Sequence, residues 1–210
     1  MYRRHFIRFS LASLPIGALA ASPARPPVLL VVGDSLSAEY GLARGTGWVA
    51  LLEKKLQEEK NPTKIVNASI SGDTTSGGRS RLAALLKTHQ PDVVVIELGS
   101  NDALRGLPLS MTEDNLTHMT QAAQQAGAKV LLVGMQMPPN YGADYGNRFS
   151  TLFEKVAKAQ KTALVPFMLK GVADQKDALK LFQADRIHPS AAAHPTILAN
   201  ILPTLRPLIK

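Results

Sequence analysis

Five short apolar runs punctuate the chain, separated by stretches of helical periodicity. Val28 to Val32 is unbroken and ends at Gly33. Lys64 to Ala68 is short and rich in β-branched residues. Val93 to Leu98 reads VVVIEL, Lys129 to Val133 reads KVLLV, and Ala163 to Phe167 is a weaker fifth run. Continuous apolarity, without alternation, marks strands buried on both faces, and that is the habit of a parallel sheet. Between the runs, Trp48, Leu51, Leu52 and Leu56 fall on one helical face. Leu82, Leu85 and Leu86 do the same, as do Leu116, Met119, Ala123 and Ala126. Ile197, Leu198, Ile201, Leu202 and Leu205 form a broad final stripe. Pro195 and Pro203 interrupt that stripe and predict a kink or a late start.

Strand and helix in alternation predict a three-layer α/β/α domain, with a doubly wound, flavodoxin-like sheet of about five parallel strands. Right-handed crossovers then put helices on both faces. The 210 residues suffice for one such domain. Ligands of doubly wound folds bind outside the carboxyl ends of the strands, so chemistry is to be sought just after each apolar run. There is no cysteine, which excludes disulfides, thiolate metal sites and a cysteine nucleophile.

The N-terminus is read as an address and not as part of that domain. Met1 to Ser10 carries Arg3, Arg4 and Arg8 and no acid, and Leu11 to Ala20 is apolar. Ala18-Leu19-Ala20 offers the small-x-small pattern of a signal-peptidase site. The division is therefore a signal peptide over 1–20, a proline-rich segment over 21–27 and the α/β domain over 28–210. Arg3-Arg4 fits either a general secretory or a twin-arginine signal, and both lead to the periplasm or the exterior. Removing three arginines and no acid takes the formal charge from +8 to +5. The remaining bases are interspersed with acids, as in Glu53-Lys54-Lys55 and Glu58-Glu59-Lys60. That is a solvated mixed surface, so no nucleic-acid partner is expected. No run reaches the roughly 18 apolar residues of a membrane span.

Four polar clusters follow in order. Gly33-Asp34-Ser35-Leu36-Ser37 closes the first run, and Ser69-Ile70-Ser71-Gly72-Asp73 the second. Gly99-Ser100-Asn101-Asp102 closes the third, and Asp185-Arg186-Ile187-His188-Pro189 precedes the last helix. Each alone reads as a turn or a cap. Together, at strand ends and in this order, they resemble the SGNH, or GDSL-type, hydrolases. The likeness extends to LARGTGWV at 42–49, LRGLPL at 104–109 and MPPNYGADY at 137–145, so it spans nearly all of the chain after the leader. Within the family it is most similar to the periplasmic thioesterase I/lysophospholipase/arylesterase group.

The chemistry requires these residue types. A serine hydroxyl needs an adjacent base, which makes Ser35 the nucleophile and His188 its partner. Asp185 would hold the far ring nitrogen and fix the tautomer. The resemblance implies an oxyanion hole formed by the backbone N–H groups of Ser35 and Gly72 and the side-chain amide of Asn101. The family's usual Gly-Gly-Asn-Asp reads Gly99-Ser100-Asn101-Asp102 here, which bears on the backbone angles beside Asn101. Ser35 is placed at the start of the first helix, where exposed N–H groups favour negative charge. Gly72 reads as a glycine because a side chain there would obstruct the substrate.

Asp34 and Asp102 are read as structural, bonding to nearby backbone. His194 lacks an acid three residues before it, and His89 and His118 are read as surface residues. Five scattered histidines make no metal site. GDSLS has neither phosphate-loop pattern, so no cofactor is expected. Tyr141 and Met137, in a loop after the fourth run, are candidates to line an apolar substrate pocket. Gly72 to Gly78 reads as a loop that moves on binding. The resemblance implies acyl esters, acyl thioesters or lysophospholipids as substrates, handled by a monomer. Two alternatives are a carbohydrate O-acetylesterase of the same fold and a catalytically silent lipid- or polysaccharide-binding protein.

Overall fold

A computed structural model describes Met1 and residues 25–210. The leader reading of 1–20 and the start of the 21–27 segment lie outside the described residues. The end of that segment is pinned. Arg25 pairs with Asp92 at 3.0 Å, and the Pro27 carbonyl accepts from the Lys64 N–H.

The strands are β1 (Val28–Gly33), β2 (Lys64–Asn67), β3 (Val93–Glu97), β4 (Lys129–Val133) and β5 (Ala163–Val165). All pair in parallel, in the order β2-β1-β3-β4-β5. The helices are α1 (Trp48–Glu58), α2 (Thr75–His89), α3 (Ser100–Leu104), α4 (Leu109–Gln125), α5 (Ala143–Gln160) and α6 (His194–Leu205). Helix α1 packs on α6, and α4 packs between α2 and α5, so the sheet is covered on both faces. This is the doubly wound three-layer architecture.

Strands β1, β3 and β4 are buried almost throughout, as their unbroken apolarity requires. Each buried Val, Leu or Ile there contributes roughly 1.5–3 kcal/mol. The edge strands differ from expectation. β2 is only half-buried, and β5 is three residues long instead of five. An edge strand has one neighbour fewer to cover it.

The last helix starts at His194 with Pro195 in its first turn, where the missing N–H costs nothing. It runs on through Pro203 to Leu205. Helix α5 begins inside the stretch taken from sequence as a loop around 140–145. Its buried face, Phe149, Leu152, Phe153, Val156 and Ala157, has helical spacing legible in the sequence. No helix among the described residues is long and apolar enough to cross a membrane.

With this strand order the chain leaves β1 toward β2 and leaves β3 toward β4. The β1 and β3 ends therefore flank the topological switch point, where a crevice opens. Ser35 follows β1, and Asn101 follows β3.

Candidate active site

Ser35 stands in a run of turns over 35–40 and not at a helix start; α1 begins only at Trp48. Ser35 therefore gains no charge stabilisation from the start of α1. The turn is held locally instead. The Asp34 carbonyl accepts from the Ser37 and Ala38 N–H groups, and Asp34 Oδ1 accepts from the Leu36 N–H at 3.0 Å.

The three catalytic candidates meet. His188 Nε2 lies 2.9 Å from Ser35 Oγ, although the residues are 153 positions apart. His188 Nδ1 lies 2.7 Å from Asp185 Oδ2. With the ring proton on Nδ1, the imidazole donates to Asp185 and accepts from the serine hydroxyl. The other carboxylate oxygen, Asp185 Oδ1, accepts from the backbone N–H groups of Ile187 and His188, both at 3.0 Å. Those backbone bonds, then the imidazole, hold the Asp185 carboxyl down at about 2.

The loop carrying this pair is clasped from two sides. Phe182 and Pro189 form an antiparallel bridge. The Gln183 Nε2 donates to the Tyr40 carbonyl at 2.9 Å and to the Pro189 carbonyl at 3.0 Å, tying the histidine loop to the turn that carries Ser35. At the loop tip Arg186 takes a left-handed φ of 59°, a conformation that costs a non-glycine residue. Tyr40 lies against His188, its ring tilted by 39° and the centroids 4.4 Å apart. Nothing in the sequence around Tyr40 signals that contact.

Of the three oxyanion candidates, two are backbone groups. Among the described residues, neither the Ser35 N–H nor the Gly72 N–H donates to another backbone carbonyl or side chain. Gly72 has φ +79°, so its glycine is required by conformation, while an added Cβ would meet only Arg105 Nη2 at 3.6 Å. That Nη2 donates to the Gly72 carbonyl at 2.7 Å. The third candidate, Asn101 Nδ2, donates to Asp34 Oδ2 at 3.1 Å and to the Asp73 carbonyl at 2.9 Å. Ser100 opens α3 with an ordinary negative φ; the positive angle, +128°, belongs to Gly99. The departure from a second glycine thus introduces no backbone strain.

The remaining predicted residues sort out by environment. Met137 is half-buried against the core, and Tyr141 is 38% exposed in a 3-10 turn. Neither hydrogen-bonds to the triad candidates; the ring that touches them is Tyr40. The Gly72–Gly78 stretch is helical from Thr75, with Thr74 capping α2 through the Gly77 N–H, so little of it is loop. Asp102 is buried and accepts from the Thr75 N–H and hydroxyl, joining α3 to α2. His194 is buried, its Nδ1 accepting from the Trp48 N–H at 3.0 Å, and burial pushes its pKa down. It satisfies the first turn of α1, which has no side-chain cap of its own. His118 is exposed, whereas His89 is half-buried.

Sequence reasoning passed over Glu97. This carboxyl ends β3 directly across from Gly33 and is 2% exposed. A Cβ on Gly33 would stand 2.9 Å from Glu97 Oε2. That oxygen accepts from the Ser37 hydroxyl at 2.7 Å, and Ser37 Oγ in turn accepts from Trp48 Nε1 at 3.1 Å. An acid at the end of an otherwise apolar VVVIE strand was the available signal.

Comparison with known proteins follows the same lines. Residues 31–195 match the GDSL-like lipase/acylhydrolase family. The chain is 52% identical over 191 residues to esterase TesA of Pseudomonas aeruginosa, covering 91% of this chain and 94% of that protein. It is 41% identical over 209 residues to thioesterase 1/protease 1/lysophospholipase L1 of Escherichia coli K12, covering 100% and 95%. A crystal structure of TesA superposes with a TM-score of 0.82 at 54% identity, covering 86% of this chain and 99% of that one.

Proposed function

Because the chain belongs to the GDSL-like lipase/acylhydrolase family, we propose that it is a serine esterase whose triad is Ser35, His188 and Asp185. The observation that carries the assignment is the continuous relay from Ser35 Oγ through both ring nitrogens of His188 to Asp185 Oδ2, at 2.9 and 2.7 Å.

Ser35 Oγ attacks the ester carbonyl while His188 Nε2 takes its proton. The carbonyl oxygen becomes an oxyanion, received by the Ser35 and Gly72 N–H groups and the Asn101 amide. Collapse breaks the bond to the alcohol or thiol, which leaves with the proton from His188. Water then attacks the acyl-serine with His188 again as base, releasing the carboxylic acid and restoring Ser35. Asp185 keeps the ring proton on Nδ1 and stabilises the imidazolium in each half-reaction.

The substrate class is acyl esters, extending to the thioesters and lysophospholipids named for the E. coli relative. Tyr141 and Met137 are proposed to line the acyl side. A monomer suffices for the chemistry, since one chain supplies all three triad residues. Residues 1–20 are proposed to direct export to the periplasm. N-terminal sequencing of the exported protein, expected to begin near Ala21, checks that reading.

The deciding assay uses p-nitrophenyl esters from acetate to palmitate. Ser35→Ala and His188→Ala should each lower turnover by about 10³-fold or more, with melting temperature unchanged. Near-normal turnover in either variant overturns the triad. Release confined to acetate would favour the O-acetylesterase reading.

A further inference from the structure

The Asn101 side chain is held more tightly than an oxyanion donor needs to be. Its amide nitrogen has two hydrogens, and both are engaged, one by Asp34 Oδ2 and one by the Asp73 carbonyl. Such a nitrogen serves an oxyanion only by sharing a hydrogen it already donates. Its aim is therefore set by those two acceptors. One of them, Asp34, precedes the nucleophile and is 1% exposed.

Asp34 has a second carboxyl beside it. Its backbone N–H points at Glu97 Oε2, 3.4 Å away. Among the described residues no lysine or arginine forms an ion pair with either carboxyl. Two adjacent buried carboxyls without a cation do not both ionise. The charged or titratable groups facing Asp34 are Glu97, Asp73 and His188. Burial pushes Asp34 up to about 6, and burial together with Asp34 pushes Glu97 well above the usual carboxylate range. Asp34 accepts hydrogen bonds at both oxygens, from the Leu36 N–H and the Asn101 amide, whereas Glu97 accepts at Oε2, so the geometry favours the charge on Asp34 and the proton on Glu97. At that place the charge accepts from Asn101 and faces the imidazole that becomes cationic during turnover.

We propose that Asp34 is a positioning residue of the oxyanion hole, aiming the Asn101 amide through Oδ2, and that Glu97 is its buried neutral partner. This rests on the reading of Asn101 as an oxyanion donor. An Asn at position 34 still accepts from the Leu36 N–H but can turn an amine toward the Asn101 amine, donor against donor. A Gln at position 97 imitates a protonated Glu.

The test is a double-mutant cycle with a soluble short-chain ester at pH 8, on variants whose melting temperatures show a folded protein. Asp34→Asn should lower kcat about tenfold or more with KM within about twofold. In an Asn101→Ala background the same change should move kcat by less than about twofold. Glu97→Gln should keep most of the activity. Equal losses from Asp34→Asn in both backgrounds, or a collapse of kcat in Glu97→Gln, overturn the proposal. If Asn101→Ala itself leaves kcat unchanged, the oxyanion reading has failed, a separate result. Should Asp34→Asn not fold, the side-chain amide ¹⁵N signals of Asn101 can be followed by NMR in His188→Ala, where no catalytic imidazole titrates. They should shift with a midpoint between pH 5 and 8, and pH-independent signals overturn the proposal.

Discussion

Asp34 and Asp185 are the same residue type on two sides of the proposed catalytic centre, and their surroundings drive them in opposite directions. Asp34 sits on the floor, at the buried ends of β1 and β3, with Glu97 beside it. Asp185 sits on an exposed loop, with two backbone N–H groups and an imidazole donating to it. Burial without a cation raises the first carboxyl to about 6, and donated hydrogen bonds lower the second to about 2. The floor is built for placement. Its polar atoms interlock with the core, from Trp48 through Ser37 to Glu97. The loop is built for charge. It keeps an ionised acid against His188 well below neutral pH. Substitutions on the floor should therefore register in stability as well as turnover, and substitutions on the loop chiefly in turnover.

The largest effect should come from the loop. Asp185→Asn keeps an oxygen for the Ile187 and His188 N–H groups but offers an amine to His188 Nδ1. It should cost about 10³–10⁴-fold in kcat, through the wrong ring tautomer, with only a small fall in melting temperature. A large drop in melting temperature would break the contrast between the two regions.

On the floor, Ser37→Ala removes a donor to Glu97 and the acceptor for Trp48 Nε1. It should cost about 1–3 kcal/mol in chemical denaturation, because buried polar atoms lose their partners. No loss of stability would mean that the relay does not hold the floor.

The smallest effect is in the pH dependence of melting. The folded state holds the Asp34 proton more tightly than the unfolded chain does, at about 6 against 3.8. This group thus contributes stability at low pH that is lost as pH rises from about 4 through 6. Asp185 has the opposite sign, and its contribution is lost only as pH falls from about 4 toward 2. Melting curves of the wild type and Asp34→Asn at pH 5 and pH 7 should show the variant gaining relative stability at pH 7. An equal difference at both values would place the Asp34 titration elsewhere.

Legibility in the sequence followed the range of the interaction. The runs forming β1, β3 and β4 were readable because burial on both faces leaves an unbroken apolar record. The edges β2 and β5 were overdrawn because partial exposure blurs that record. Helix α5 was not singled out at all: Gly142, Ala143 and Asp144 at its start look like a loop, and its apolar face begins only at Phe149.

By itself the sequence determined the layer architecture, the placement of polar clusters at strand ends and the residue types able to carry an acyl transfer. These follow from periodicity and local turn chemistry, which act within a few residues. Tertiary structure alone decided which of those groups touch. It brought Ser35 within 2.9 Å of His188 across 153 residues. It laid Tyr40 on the imidazole, moved His194 out of contention and into the cap of α1, and set Glu97 opposite Gly33. Strand register and helix packing fix such contacts, and neither is written in any local stretch of chain.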